Sequence, residues 1–122
     1  MIPRRWIPTA LWAGLVLVGT SIPGSTVPDG PAGADKLVHF GSYAVLGTLA
    51  TRARLQTLRG PLLPAMSLLL LAVAAFATFD EAHQRFVPGR SADVRDLIAD
   101  VAGAAVAIAL TAAALARREQ ST

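Results

Sequence analysis

Asp35 and His39 are four residues apart, and so are His39 and Tyr43. On a helix that spacing stacks all three on one face. Asp80, Glu81 and Gln84 form a second helical set. Asp93, Asp96, Asp100 and Gly103 follow at spacings of three, four and three, which makes a third stripe. Lys36, Arg90 and Ser91 lie among them. Carboxylates with a histidine can act as a general acid–base pair or hold a divalent cation. A lysine or arginine beside them could hold a phosphate. The candidate cluster is therefore Asp35, Lys36, His39, Tyr43, Glu81, Gln84, Arg90, Asp93, Asp96 and Asp100.

No strong catalytic motif accompanies these residues. There is no His-x-x-x-His pair, no phosphate-binding glycine loop and no serine elbow. Cysteine is absent, which excludes thiolate catalysis and cysteine-ligated metals. Several of the acids also have a plain structural use. Asp35 suits a helix N-cap, and Asp93 and Asp96 suit the start of a helix, where negative charge is stabilising. The residues leave binding and catalysis both open, and the occupancy of a metal site open with them.

The elements that must position this cluster are apolar. The chain has 122 residues, one domain's worth. Hydrophobic residues make up 53% and charged residues only 16%, against roughly 25% in a soluble protein. Stretches 6–28, 37–51, 60–79 and 101–116 carry no Asp, Glu, Lys or Arg. A soluble helix keeps a polar face, and these stretches lack one. An all-α membrane protein is expected, a bundle of about four transmembrane helices over 7–22, 35–51, 61–79 and 96–116, in a single domain 1–122. Pro23, Gly24, Pro28, Gly30, Pro31 and Gly33 make the first connection a helix-free loop. A basic loop is expected over 52–60, and a polar connection with a turn at Pro88-Gly89 over 80–95. Arg4 and Arg5 before an apolar run resemble a signal peptide. Ala32-Gly33-Ala34, the cleavage-like site, lies about a dozen residues beyond the run, so an uncleaved first helix is expected.

Basic residues orient the bundle. Arg4, Arg5, Arg52, Arg54, Arg59, Arg117 and Arg118 would share one side, and Lys36, Arg85, Arg90 and Arg95 the other. Seven against four makes the first side cytoplasmic, with both termini. The candidate cluster then faces outward. The net charge of +3 comes from arginines flanking apolar segments, which points to the bilayer as partner rather than nucleic acid. Asp100 and His39 each lie about one turn deeper than the outermost acids. Ionisable groups at the centre of a membrane helix cost about 2.5–3.5 kcal/mol each, so they usually face inward and pair.

At these residues the sequence resembles the VanZ-like family of small bacterial membrane proteins. The first matching block is DKLVHFGSYAVL, with Asp35, Lys36, His39, Phe40, Tyr43 and Leu46. The second is DEAHQRFVPGRSADVRDLIADVAG, with Glu81, Gln84, Phe86, Pro88, Gly89, Arg90, Asp93, Asp96, Asp100 and Gly103. The resemblance covers 35–103. Many members carry asparagine where Asp100 stands, which leaves open whether that position must be charged or only hydrogen-bonding. The family takes its name from a protein associated with low-level resistance to the glycopeptide teicoplanin, so a cell-envelope role in the cell membrane is implied. Three expectations follow. The first is binding of a lipid headgroup, an envelope precursor or an amphiphilic glycopeptide-type antibiotic. The alternative is a membrane-embedded hydrolase or transferase on a lipid-linked phosphate, metal-assisted if a divalent cation sits at the carboxylate and histidine donors. A transport or proton-relay role would rest on His39 and Asp100, and four short helices would need oligomerisation to enclose a path.

Overall fold

The computed structural model describes residues 1–57 and 60–121. Four α-helices account for most of them: α1 Ile7–Ser21, α2 Ala34–Thr57, α3 Leu62–Gln84 and α4 Val94–Gln120. Short 3-10 turns stand at Arg4–Trp6 and Gly24–Thr26. Pro8 sits at the first turn of α1, where no backbone donor is needed. Ile22 turns extended just before Pro23 and ends that helix. Pro61 caps α3, and Pro64 falls within its first turn. Asp93 caps α4, its carboxylate accepting the Arg95 backbone N–H at 2.8 Å.

Successive helices run in opposite directions. Val16, Tyr43, Leu46, Val73, Ala77 and Ala104 form one core cluster, at the end of α1, the start of α2, the end of α3 and the start of α4. A second cluster joins Ala50, Ala65, Met66, Leu69, Ile108 and Ala112 at the opposite end, with Trp6 against it. The core contains many small residues because α2 and α4 pack backbone to backbone. A Cβ on Gly47 would stand 2.9 Å from the Ala104 carbonyl oxygen. A Cβ on Gly103 would collide with the Phe40 carbonyl. Small residues at a helix crossing permit this approach.

The large apolar side chains point outward. Leu11, Leu15, Val18, Leu63, Leu68, Leu71, Phe79, Ile98 and Leu110 are exposed, whereas Asp80, Glu81, Gln84, Asp96 and Asp100 are buried. A soluble domain does the reverse. Among the described residues, α3 and α4 are long and apolar enough to cross a membrane, with mean hydropathy of 2.2 and 2.0 in their best windows. α1 has 15 residues, about 22 Å of helix against a bilayer core of about 30 Å. α2 carries Asp35 and Lys36 at one end and Arg52 and Arg54 at the other.

Three helices are longer than the sequence pattern indicates. α2 does not stop at Thr51 but runs to Thr57, because Thr51 and Ala53 stay in the packed interior and no breaker occurs before Gly60. Leu58 and Arg59, in the expected basic loop, lie outside the described residues. α3 carries its polar residues Asp80, Glu81, His83 and Gln84 inside the helix, so the connection to α4 begins at Arg85. α4 starts two residues before Asp96 and continues beyond Arg117 and Arg118, which suit the carbonyl end of a helix. Asp35 is the second residue of α2 and does not cap it; the chain enters through Gly33 at φ 82°.

The α3–α4 connection turns at residues 87–90. Arg90 N donates to the Val87 carbonyl at 3.1 Å, with Pro88 second and Gly89 third at φ 72°. Proline followed by a left-handed glycine is the requirement of a type II turn. The turn packs on the loop after α1. Gly24 N donates to the Pro88 carbonyl at 2.9 Å, and a Cβ on Gly24 would collide with Gly89.

Candidate functional site

The first turn of α4 organises the polar end of the molecule. Glu81 reaches it from α3 and accepts the Asp93 backbone N–H at 2.6 Å. Gln84, one turn along α3, donates its side-chain amide to Glu81 at 3.3 Å. Asp96 and Asp100 then project from α4 toward α2. The Arg95 backbone N–H, and after it the Lys36 ammonium at 3.4 Å, hold the Asp93 carboxyl below its ordinary range.

Three polar levels descend from that turn. Outermost, Lys36 Nζ joins Asp35 at 2.8 Å and Asp93 at 3.4 Å, and it also pairs with Asp96 Oδ1. In the middle, His39 Nε2 stands 3.5 Å from Asp96 Oδ2, and Nδ1 stands 2.9 Å from Asp100 Oδ1. Innermost, the Tyr43 hydroxyl donates to Asp80 Oδ2 at 3.0 Å, and the Thr20 hydroxyl donates to Asp80 Oδ1 at 2.6 Å. Tyr43, Asp80 and Asp100 are almost wholly buried. Asp100 Oδ2 is buried with no hydrogen-bond partner.

Nine of the ten candidate residues thus meet where α2, α3 and α4 converge. Arg90 does something different. Its Nε donates to the Ile22 carbonyl at 2.9 Å and its terminal nitrogen to the Gly19 carbonyl at 3.2 Å. A cation at the carbonyl end of α1 satisfies groups that the helix leaves unpaired. Arg90 therefore fastens α1 to the turn while still lining the neighbouring clefts. Three further contacts come from α1, which the stripes on the other helices do not announce: Thr20 on Asp80, the Ser21 hydroxyl 3.0 Å from His83 Nε2, and the Trp12 indole N–H donating to the Ser42 carbonyl at 2.9 Å. Asp80 belongs with the cluster too, and its spacing of four from Gln84 is the signal for it.

Metal-capable atoms also converge. One ligand atom from each of His39, Glu81 and Asp96 lies within 4.8 Å of the others. Beside the middle level opens a cleft of about 310 Å³ between α1 and α2. Trp12, Leu15, Val16 and Val38 wall it, and His39 and Arg90 stand in its lining.

A family model described as VanZ/LLP1 matches residues 2–115. The chain belongs to the VanZ/LLP1 family. No curated protein and no solved structure gives a significant match. The VanZ/LLP1 match extends past both ends of the 35–103 segment, taking in α1 and most of α4. Those parts hold the Thr20 contact and the acceptors of Arg90, so the whole VanZ/LLP1 unit, and not only its two polar blocks, builds this end of the molecule.

Proposed function

We propose that this VanZ/LLP1 chain is a multi-pass protein of the cell membrane that binds the polar head of an amphiphile at the outer face. All four helices cross the bilayer. Both termini are cytoplasmic, because Arg4, Arg5, Arg52, Arg54, Arg117 and Arg118 belong to the end opposite the polar cluster. The ligand class is a lipid headgroup, an envelope precursor or a glycopeptide-type antibiotic.

The α1–α2 cleft carries this reading. It has an apolar wall and a polar lining in one space of about 310 Å³. An acyl or prenyl chain fits the Trp12, Leu15, Val16 and Val38 wall. A phosphate or amine head fits the Arg90, His39 and Asp35 lining. The test is binding of lipids with phosphate, amine and zwitterionic heads to the full chain in nanodiscs. Asp35→Asn and Arg90→Lys should weaken headgroup discrimination while helical content holds. Equal binding of all heads by wild type and both variants would remove the cluster from recognition.

A second reading is a hydrolase or transferase acting on a lipid-linked phosphate. The His39–Asp100 pair favours it, because a carboxylate behind an imidazole fixes the tautomer and leaves Nε2 as a base. Release of phosphate from a lipid pyrophosphate by wild type, and its loss in His39→Gln, is the result that separates it from binding alone.

A further inference from the structure

We propose that His39, Glu81 and Asp96 form a site for a single divalent first-row cation of the zinc or manganese class. The proposal does not depend on the amphiphile reading. Four observations carry it.

The first is convergence. The three ligand atoms come from α2, α3 and α4 and lie within 4.8 Å of one another. Ligands about 2.1 Å from a tetrahedral ion stand roughly 3.4 Å apart. Binding an ion would require the three side chains to close to that spacing.

The second is the orientation of the imidazole. Nδ1 stands 2.9 Å from Asp100 Oδ1 and Nε2 stands 3.5 Å from Asp96 Oδ2, so with the proton on Nδ1 the Nε2 lone pair would face Asp96. A carboxylate behind the distal nitrogen is how a metal-ligating histidine is held, with its tautomer fixed and its basicity raised.

The third is the unpartnered buried oxygen. Asp100 is fully buried and its Oδ2 has no donor. A buried carboxylate oxygen without a donor is costly unless positive charge lies nearby or the group takes a proton, and a bound cation would supply the first.

The fourth is charge balance. Asp93, Asp96, Asp100 and Glu81 crowd this end with Asp35 and Asp80. Among the described residues, Lys36 and His39 are the basic side chains that pair with them. Lys36 occupies Asp96 Oδ1 and leaves Oδ2 for the ion.

Donor chemistry narrows the ion. One imidazole and two carboxylates, with no sulfur, disfavour copper(I). The imidazole disfavours magnesium and calcium, which take oxygen ligands. Three protein ligands leave a coordination position for water or an anionic oxygen.

The test uses the full chain in detergent, stripped by chelator and titrated with Co2+ as an optical probe and Zn2+ as the competing ion. Wild type should bind one ion per chain, with cobalt d–d bands that Zn2+ abolishes. His39→Ala, Glu81→Gln and Asp96→Asn should each lose the bands. Asp100→Asn should keep them with affinity weakened about 10–100-fold, as for loss of an outer-shell partner. Asp29→Asn, in the exposed loop, should match wild type. Circular dichroism checks each variant's helices. Should a ligand variant unfold, the wild-type thermal midpoint decides instead, since an ion bound to the folded chain raises it. The proposal is overturned if stripped, helical wild type shows neither cobalt bands nor a Zn2+-dependent midpoint. It is equally overturned if Asp96→Asn binds as wild type does, because His39 is then an ordinary ion-pair partner between two acids.

Discussion

His39 Nδ1 lies 2.9 Å from Asp100 Oδ1, and the other Asp100 oxygen is buried without a donor. One half of this carboxylate is therefore used and the other is not. Asp100→Asn keeps an acceptor for His39 and turns its amide toward the unpartnered side. It should stay within about 1 kcal/mol of wild type, the size of one net hydrogen bond. Asp100→Ala leaves the imidazole N–H unpaired and should cost about 1–3 kcal/mol. Thermal unfolding in detergent compares the two, and equal losses would show that His39 does not depend on this acceptor.

The α2–α4 crossing depends on Gly103. A Cβ there meets the Phe40 backbone, which cannot swing aside as a side chain can. Gly103→Ala should destabilise by about 1–3 kcal/mol, the usual cost of overpacking. Gly41→Ala is the matched control, because nothing lies within 4 Å of its added carbon. It should be neutral or stabilising, by up to about 1 kcal/mol of helix propensity. A tolerated Gly103→Ala would mean that the helices sit farther apart than described.

Tyr43 and Thr20 serve the same buried acid, at 3.0 and 2.6 Å from the two Asp80 oxygens. Tyr43→Phe and Thr20→Val should each cost about 1–3 kcal/mol by leaving an oxygen unpaired. Combined, they should depart from additivity by about 0.5 kcal/mol or more, as contacting residues do. A strictly additive double-mutant cycle would uncouple α1 from the α2–α3 pair.

Asp93 ties stability to acid. Its folded pKa lies below the ordinary carboxylate value, through the Arg95 backbone N–H and then Lys36. Its contribution is therefore full above about pH 4 and is lost as pH falls through the lower folded value. Asp93→Asn retains a capping side chain but has no such proton to take up. Its thermal midpoint should fall less steeply than that of wild type between about pH 5 and 3. Parallel slopes would assign the acid sensitivity to the other carboxylates.

The chain has no cysteine, so single introduced thiols report topology cleanly. Gly30→Cys, in the α1–α2 loop, should react with an impermeant maleimide on intact cells. Ser121→Cys, beyond α4, should react only after permeabilisation. The reverse pattern would invert the proposed orientation.

Helix identity was legible because each apolar segment is bounded by charge or by Pro and Gly. The helix ends were less so. Asp80, Glu81 and Gln84 have helical spacing but fall past the apolar span that ends at 79; they are the last turn of α3, because partners on α1, α2 and α4 satisfy them. Spacing within α2 and α4 set His39 and Asp100 each about one turn deeper than the outermost acids, and stripes on antiparallel neighbours meet at one level, where the two side chains stand 2.9 Å apart. It could not foresee Arg90 on the carbonyls of Gly19 and Ile22, because backbone acceptors leave no trace in residue type. Thr20 was hidden for a similar reason: a lone threonine in an apolar run has no periodicity to mark it.

The acids that answer Lys36 from across the bundle, Asp93 and Asp96, arrive at the start of the last helix, as does Asp100 for His39. If, as proposed, every helix crosses the bilayer, a growing chain with only its first three helices in place holds Lys36 and His39 without these partners on α4. The proposed topology thus makes completion of the polar end a late event in biogenesis, and a chain stalled before Val94 would expose that mismatch to whatever machinery inspects newly inserted proteins.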